Sequence, residues 1–434
     1  MVTMTAPSPT DPPPRVVTLV LCLPDGEVLG VLPPFPVAVP WWNEAASVVD
    51  AARDLHSVDV TVLRVLGGRG SDAAGGPVTY LAEVHGPVPR LAPWASPLGT
   101  HPLRLRYAEP GGPSADLEWA DATLAALGRT RTEPPRQVRT WNLSSLWRLP
   151  TADGAVWLKV VPPFFAHEGA VLARLDPAVV PPLLAAAGPR VLLDEVPGED
   201  LYGATGALLL RMVSLLVNLQ AGWVNRLDEL RALGAPDWRP GPFVERAAET
   251  VARTGPQVNR ATWQACERLV EGLPERFRAI AACGVPDTLV HGDFHPGNLR
   301  GDDTQLVLLD WGDCGVGHPL LDRAAFFERV PAADRSEVVD HWDGLWRTAA
   351  PGCDPSRAAK LLAPVSALRQ AVIYDGFLEA IEPSERIYHA KDPGLWLTAA
   401  AGGRTPPGRV TVRHPLRGVR RKGWTRGPRF GHPA

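Results

Sequence analysis

The chain has 434 residues, a length that indicates two or three domains rather than one. Hydrophobic residues make up 45% and charged residues 21%, as in globular proteins that bury a core. The formal net charge of −3 argues against a general role in binding nucleic acid, and no segment approaches membrane-spanning length. The five cysteines include no C-x-x-C pair, which is typical of free thiols, so we expect a cytoplasmic protein.

Residues 15–108 predict a small α/β accessory domain. Residues 1–14 before it are rich in proline, and we expect them to be disordered. Alternating apolar residues indicate strands on both sides of a helix, which we expect Asn43 to cap and which should end near His56. The expected strands occupy Arg15–Leu32 (two strands around a Pro-Asp-Gly turn), Val58–Leu66 and Val78–Val84.

The helix of this region carries Arg53-Asp-Leu55, which is followed by Ser57 and Val58. The layout resembles a Nudix domain, whose helix has an Arg-Glu-apolar step followed by an acidic pair that binds metal. Because Ser57 and Val58 stand where that pair should be, the resemblance implies a domain that has no catalytic activity of its own.

Residues 109–135 contain a predicted helix and a linker rich in proline and arginine. Residues 136–198 then predict a second sheet, and its third strand carries Lys159. The ammonium group of Lys159 needs an anionic partner, which Glu168 on the following helix can supply. Taken alone, however, the two residues are better explained as a surface lysine on an edge strand and a glutamate on a solvated helix. The predicted strands are Val138–Trp141, Leu146–Leu149, Ala155–Val161 and Val191–Val196.

A polar loop lies between two short apolar runs, Leu289–Val290 and Leu306–Leu309, that indicate buried strands. The loop contains Asp293 and, five positions later, the amide of Asn298. Asp310 follows the second apolar run. Two carboxylates and an amide in this arrangement can orient a hydroxyl group and hold a divalent metal ion on a polyphosphate.

Residues 199–402 are otherwise predicted to form a mainly helical lobe. Residues 403–434 contain many arginines and no acidic residue, and we predict a disordered basic tail. Acidic and aromatic side chains after Asp310 would suit a cationic or polyhydroxylated small molecule, or they would simply face solvent. These residues are Tyr374, Asp375, Glu379, Glu382, Glu385, Tyr388, His389 and Asp392.

A small β lobe with a lysine, a hinge, and a helical lobe with Asp-x4-Asn and a later Asp is the layout of kinase-like enzymes. The stretches His291-Gly-Asp-Phe-His-Pro-Gly-Asn298, Leu309-Asp-Trp-Gly-Asp313 and Gly317-His-Pro-Leu-Leu-Asp322 closely resemble the motifs of the aminoglycoside phosphotransferase and choline kinase family. The resemblance covers about residues 136–401. It implies an α+β, bilobal protein-kinase-like fold, with a β lobe (136–198) and a helical lobe (199–402) after the accessory domain.

The same resemblance implies a role for each polar residue of the cleft. Asp293 would accept a hydrogen bond from the acceptor hydroxyl and would take its proton late in phosphoryl transfer. Asn298 and Asp310 would ligate Mg²⁺, which prefers oxygen ligands. Lys159, held by Glu168, would contact the α- and β-phosphates of ATP.

Further nucleotide contacts follow from this resemblance. Ser144 and Ser145 would cover the phosphates in place of a Gly-rich loop, and backbone groups around Glu195 and Val196 in the hinge would bind adenine.

The expected function is therefore transfer of a phosphoryl group from ATP to a hydroxyl of a small molecule, such as an aminoglycoside, an amino alcohol or a sugar-like acceptor. His291 and His295 would shape the loop by hydrogen bonding rather than by acid-base chemistry. The alternative is a nucleotide-binding regulatory or scaffolding protein without turnover. We expect no membrane partner and no nucleic-acid partner.

Overall fold

The computed structural model describes residues 12–69, 73–302 and 304–403. The predicted disordered start and basic tail lie outside these ranges, except for residues 12–14 and 403. Among the described helices, none is long and apolar enough to cross a membrane. The predicted fold class is confirmed, since a β lobe and a helical lobe follow a smaller α/β region. The boundaries proposed between these parts stay predictions.

The first sheet belongs to the accessory region (residues 15–108). Strands β1 and β5 are parallel, all other pairs are antiparallel, and β2 and β3 share the free edge of β1. Helix α1 (Ala46–His56) starts without a side-chain cap, and the backbone carbonyl of the buried Asn43 accepts the N–H of Thr140 instead, so the predicted cap is wrong. The strands are β1 (Arg15–Cys22), β2 (Val28–Val31), β3 (Phe35–Val37), β4 (Val60–Gly68) and β5 (Gly76–Val84).

The second sheet forms the β lobe, with all neighbouring strands antiparallel in the order β6-β7-β8-β10-β9. Helix α2 (Gly112–Ala126) buries Ala120 and Leu124 against one face of this sheet. The other face carries Lys159 and is turned toward helix α3 (Glu168–Leu172). The strands are β6 (Arg136–Trp141), β7 (Ser144–Thr151), β8 (Gly154–Val160), β9 (Leu183–Ala187) and β10 (Arg190–Asp194).

The helical lobe packs around helix α4, whose inward residues are fully buried, as its almost uniformly apolar sequence predicts. Its helices are α4 (Ala207–Ala221), α5 (Leu227–Ala232), α6 (Pro240–Thr254), α7 (Arg260–Glu271), α8 (Leu273–Ala281), α9 (Arg323–Phe327), α10 (Arg335–Ala349), α11 (Pro355–Ala380) and α12 (Asp392–Ala400).

Two small sheets hold the polar loop within this lobe. One has the order β11-β13-β14, and the other pairs β12 with β15. Because the first of these joins the hinge to the strand after the loop, it fixes the loop against the β lobe. Their strands are β11 (Glu199–Asp200), β12 (Thr288–Val290), β13 (Leu299–Gly301), β14 (Leu306–Leu308) and β15 (Gly315–Gly317).

The accessory region contacts both lobes of the kinase-like part. The side-chain amide of Gln137 on β6 makes two hydrogen bonds, of 2.9 and 2.7 Å, with the backbone N–H and carbonyl of Val62 on β4. Strand β4 also packs against the 3-10 turn Pro383–Tyr388 of the helical lobe. The accessory region therefore spans the two lobes on one side of the molecule.

Candidate active site

His291 begins the polar loop and is fully buried. Its Nε2 lies 2.9 Å from the carbonyl of Leu309, and its Nδ1 accepts the N–H of Asp293 at 3.3 Å. Burial lowers the pKa of His291 to about 4, so the ring is neutral at neutral pH. The hydrogen bonds of His291 therefore connect the start of the loop with the backbone that follows β14.

Asp293 faces the cleft at the bend of the loop. Its backbone carbonyl and its Oδ2 both accept hydrogen bonds from the amide nitrogen of Asn298, at 2.9 and 3.1 Å. Nε2 of His295 lies 3.4 Å from the same Oδ2, while Nδ1 of His295 accepts the N–H of Gly297. Burial would raise the pKa of Asp293, but the neighbouring imidazole of His295 and the charge of Arg329 outweigh burial and lower that pKa below its usual range. Asp293 is therefore ionised, as a proton acceptor must be.

The carboxylate of Asp322 holds the start of the polar loop in place through hydrogen bonds. The sequence analysis did not assign this role. Its carboxylate accepts the backbone N–H groups of His291 at 2.9 Å and Gly292 at 2.7 Å. It also accepts the side-chain amide of Gln220, at 2.9 Å. The Gly317–Asp322 stretch, which resembles the family motif, already singled out Asp322 in the sequence. The sequence does not show which backbone groups its carboxylate binds.

Lys159, Glu168 and Asp310 meet in the cleft between the two lobes. Nζ of Lys159 lies 2.7 Å from Oε1 of Glu168 and 2.7 Å from Oδ1 of Asp310. The backbone N–H of Trp311 also donates to Glu168, at 3.1 Å. Burial disfavours the ammonium form, but the charges of Asp310 and Glu168 outweigh burial and raise the pKa of Lys159. The cleft thus contains a permanently charged lysine.

Asp310 has a backbone φ of 61°, in the left-handed region that residues other than glycine seldom adopt. Such strained conformations cluster at functional sites. The side chain of Asp310 is 43% exposed, whereas that of Glu168 is 2% exposed. Asp310 is therefore the carboxylate of this trio that a ligand can reach.

Arg139 is a second cation on the cleft face, and the sequence analysis missed it. It pairs with Leu146, which pairs with Lys159, and directly opposed residues on neighbouring strands point to the same face. Within the described part of the chain, Nε and Nη2 of Arg139 are enclosed and have no hydrogen-bond partner. Burial lowers the pKa of Arg139, while nearby Glu44 and Asp310 act in the opposite direction. A strand pattern alone gives no reason to single out this arginine.

The predicted nucleotide contacts fall at two places. Ser144 and Ser145 begin β7, and their buried hydroxyls accept hydrogen bonds from the indoles of Trp141 and Trp147. Each hydroxyl still has its own proton to donate, and the expected contact of Ser144 and Ser145 with the phosphates stays a prediction.

The hinge residues are also partly engaged. The N–H of Glu195 donates to the carbonyl of Ala155, and the carbonyl of Val196 accepts from Nε of Arg300 at 2.7 Å. Within the described residues the carbonyl of Glu195 and the N–H of Val196 have no hydrogen-bond partner, so the predicted contact with adenine would fall to these two groups.

Most of the acidic residues predicted to line an acceptor pocket are buried and bound to other side chains or backbone groups of the protein. Asp375 accepts bidentate hydrogen bonds from Arg253, and Glu382 is paired with Arg104 at 2.9 Å. Tyr388 packs into the core of the accessory region. The prediction is wrong for these residues because the accessory region and helix α6 cover the surface on which they lie.

Asp313 and Glu328 are the additional carboxyl groups that influence Asp293. Burial, Asp293 and Asp310 together raise the pKa of Asp313 to about 7. Burial also raises the pKa of Glu328, which Arg329 opposes. Asp293 therefore has two further carboxyl groups in its surroundings, together with the guanidinium of Arg329.

The oxygen donors of the site fit a divalent metal ion such as Mg²⁺. Since the amide nitrogen of Asn298 is bound to Asp293, its amide oxygen would be the end available to a metal ion, and the exposed carboxylate of Asp310 would be the second donor. No group of three or more His, Cys, Asp or Glu side chains in the described residues could hold a metal alone. Mg²⁺ commonly combines one or two protein ligands with substrate phosphates and water, which matches this donor set.

Comparison with known proteins bears on the fold and the family. A sequence profile of the phosphotransferase enzyme family matches residues 137–355, half of the chain. A search of curated proteins found no significant match to the chain.

Several solved structures resemble part of this chain. A macrolide 2'-phosphotransferase from Brachybacterium faecium is 18% identical with a TM-score of 0.42, covering 63% of this chain and 98% of its own. A type I macrolide 2'-phosphotransferase is 17% identical with a TM-score of 0.46, covering 64% and 97%. A choline/ethanolamine kinase family protein from Mesorhizobium loti is 13% identical with a TM-score of 0.43, covering 66% and 100%.

Proposed function

Because this chain belongs to the phosphotransferase enzyme family and is a small-molecule phosphotransferase, we propose that it transfers the γ-phosphoryl group of ATP to an acceptor hydroxyl with the help of Mg²⁺. The observation that carries the proposal is the trio of Lys159, Glu168 and Asp310, joined by two 2.7 Å contacts across the cleft. An ammonium held beside an exposed carboxylate suits a polyphosphate that carries a metal ion.

Each residue of the site has one task in this proposal. Lys159, oriented by Glu168, binds the phosphates, and Asn298 and Asp310 hold Mg²⁺. The bound metal ion would neutralise charge on the phosphate oxygens. Asp293 aims the acceptor oxygen and accepts its proton.

The acceptor in this proposal is a small molecule with a hydroxyl group and a cationic or polyhydroxylated body. Asp313 and Glu328 support this choice because both are electrostatically coupled to Asp293. Carboxyl groups around a reacting hydroxyl favour ammonium groups and hydrogen-bond donors on the acceptor.

Two measurements on the full chain test the proposed reaction. Thermal unfolding with ATP, with and without Mg²⁺, should show stabilisation that is larger with the metal ion, because ligands that bind only the folded state stabilise it. ADP release should then rise with at least one member of a panel of aminoglycosides, amino alcohols and sugars. No stabilisation by ATP would contradict nucleotide binding. Stabilisation without ADP release would favour a nucleotide-binding protein without turnover.

Asp310→Ala is expected to weaken binding of ATP in the presence of Mg²⁺ by about tenfold or more, which corresponds to roughly 1.4 kcal/mol. The variant removes one of the two proposed metal ligands and leaves Lys159 paired with Glu168. Calorimetric titration of ATP with and without Mg²⁺ measures the effect, which should be much smaller without the metal ion. Asp302→Ala, at an exposed turn outside the cleft, is the matched control. An unchanged metal dependence in Asp310→Ala would remove Asp310 from the metal site.

A further inference from the structure

Two cations project from the cleft face of the β lobe. Arg139 on β6 stands opposite Leu146 on β7, and Leu146 stands opposite Lys159 on β8. Residues that are directly opposed on neighbouring strands point to the same face of a sheet. Two strand spacings, about 10 Å, separate the backbones of β6 and β8. Arg139 and Lys159 can therefore reach different groups of one extended anion in the cleft.

The backbone that carries Arg139 is held on both sides. Strand β7 pairs with one edge of β6, and the segment Asn43–Ala45 of the accessory region makes two backbone hydrogen bonds of 3.1 Å with the other edge. These bonds involve Val138 and Thr140, the residues on either side of Arg139. Glu44, at the centre of the segment, stands directly opposite Arg139. The accessory region thus fixes the part of β6 from which Arg139 projects.

The guanidinium of Arg139 differs from the other guanidinium groups of the β lobe (residues 136–198) because it has no ion-pair partner. Glu44 and Asp310 attract it electrostatically, but within the described residues neither carboxylate forms an ion pair with it. A buried charge is costly unless it is paired or hydrogen-bonded, so Arg139 stands to gain from an anionic ligand. The arginines of this lobe that do have a carboxylate within 4 Å are Arg136, Arg148, Arg174 and Arg190.

One nitrogen of Arg139 is open to the cleft. Nε and Nη2 are enclosed by the protein, so a ligand cannot reach them. Nη1 has no hydrogen-bond partner in the described part of the chain either, but it is not enclosed, and the residue keeps an exposed fraction of 9%. The charge of Arg139 acts on Asp310, whose carboxylate lies 2.7 Å from Lys159. Nη1 is therefore a hydrogen-bond donor near the lysine that the nucleotide is proposed to contact.

We propose that Arg139 is a phosphate-binding residue of the nucleotide site, which donates from Nη1 to the polyphosphate in addition to Lys159. The inference rests on the proposed function, because it requires a nucleotide in the cleft. Hydrogen bonds between guanidinium and phosphate are charge-assisted and therefore strong. Phosphate oxygens supply the counter-charge that Arg139 lacks in the free protein. A second cation also neutralises more of the polyphosphate charge than Lys159 does alone.

Titration calorimetry of the full chain with ATP and Mg²⁺ tests this role, and adenosine, titrated separately, is the comparison ligand without phosphates. Arg139→Met removes the charge and the hydrogen-bond donors but keeps an unbranched side chain. Arg136→Met is the matched control, because Arg136 lies on the same strand, is exposed and pairs with Asp50 of the accessory region. Circular dichroism of both variants checks that they fold.

Arg139→Met is expected to weaken ATP binding about tenfold or more, while its affinity for adenosine stays within about twofold of the parent chain. Arg136→Met should stay within about twofold of the parent for both ligands. A purely structural role for Arg139 would lower both affinities alike, so equal losses for ATP and adenosine would overturn the inference. Unchanged ATP affinity in a folded Arg139→Met variant would overturn it while leaving the proposed function intact. Failure of the parent chain to bind ATP would contradict the proposed function, and this inference with it.

Discussion

Asp293→Asn is expected to lower kcat by about 10³-fold while the affinity for ATP with Mg²⁺ changes little. Asparagine has almost the shape of aspartate but cannot accept the proton of the acceptor hydroxyl. The loop should keep its conformation, because Asn298 also donates to the backbone carbonyl of residue 293 at 2.9 Å. The loss should therefore appear in the chemical step rather than in nucleotide binding.

The measurement is ADP release at saturating ATP and acceptor, together with calorimetric titration of ATP. Asp302→Asn is a suitable control, since Asp302 lies on an exposed turn close in sequence and accepts the N–H groups of Thr304 and Gln305. Near-normal turnover by Asp293→Asn would show that the carboxylate does not act as the proton acceptor. A parallel loss of ATP binding would show instead that Asp293 belongs to the nucleotide site.

The pH dependence provides an independent check on Asp293. Its pKa lies below the usual aspartate range, because the neighbouring imidazole of His295 and the charge of Arg329 outweigh burial. A group that must be ionised to act loses activity only as the pH falls through its pKa. We therefore expect no loss of kcat attributable to Asp293 between pH 8 and about pH 5, in the range above ordinary aspartate pKa values.

The sequence predicted the kinase-like fold and the family because the evidence is local. Asp293 and Asp310 each follow a short apolar run, and the glycines and proline that bound these runs favour short buried strands over helices. Strand β9 escaped prediction because Leu183–Ala187 reads Leu-Leu-Ala-Ala-Ala, with neither β-branched residues nor alternation. The sequence of β3 is equally uninformative, because this strand has only three residues and proline is the central one.

What the sequence could not show is which surfaces become buried between distant segments. Glu382, just before the 3-10 turn Pro383–Tyr388, suited an acceptor pocket, yet its partners Arg64 and Arg104 stand about 320 and 280 residues earlier in the chain. No periodicity within the 3-10 turn distinguishes a face covered by another part of the chain from a face open to solvent. The same reason hid Arg139 and Asp322, whose importance depends on neighbours brought together only by folding.

Glu385 is the residue at which the three parts of the molecule meet. It belongs to the 3-10 turn of the helical lobe, and its Oε1 accepts the N–H of Val65 in the accessory region at 2.9 Å. Burial raises the pKa of Glu385 to about 8, although the backbone N–H groups of Val65 and of Asn142, in the β6–β7 turn, act in the opposite direction. The carboxyl group is therefore mostly neutral in the folded protein at neutral pH.

Glu385→Ala is expected to lower the free energy of unfolding by about 3 kcal/mol or more. The variant leaves the N–H groups of Val65 and Asn142 without this acceptor, and each unsatisfied buried donor costs about 1–3 kcal/mol. Glu385→Gln should be far milder at neutral pH, since an uncharged amide oxygen can accept in place of the neutral carboxyl group. Urea-induced unfolding followed by tryptophan fluorescence measures both variants, and a similar loss in both would contradict this role for the acceptor oxygen.

The pH dependence of the stability of Glu385→Gln tests the raised pKa of Glu385 separately. Since the pKa of Glu385 is higher in the folded chain than in the unfolded one, its contribution to stability is greatest below about pH 4.5 and is lost as the pH rises to about 8. Glu385→Gln lacks this loss, so its stability relative to the parent should rise between pH 5 and pH 8 by up to a few kcal/mol, at about 1.4 kcal/mol per pKa unit. Glu118→Gln, at an exposed position of α2, should show no such trend. A stability difference between Glu385→Gln and the parent that stays flat across this range would mean that Glu385 is already ionised where it joins the three parts of the molecule.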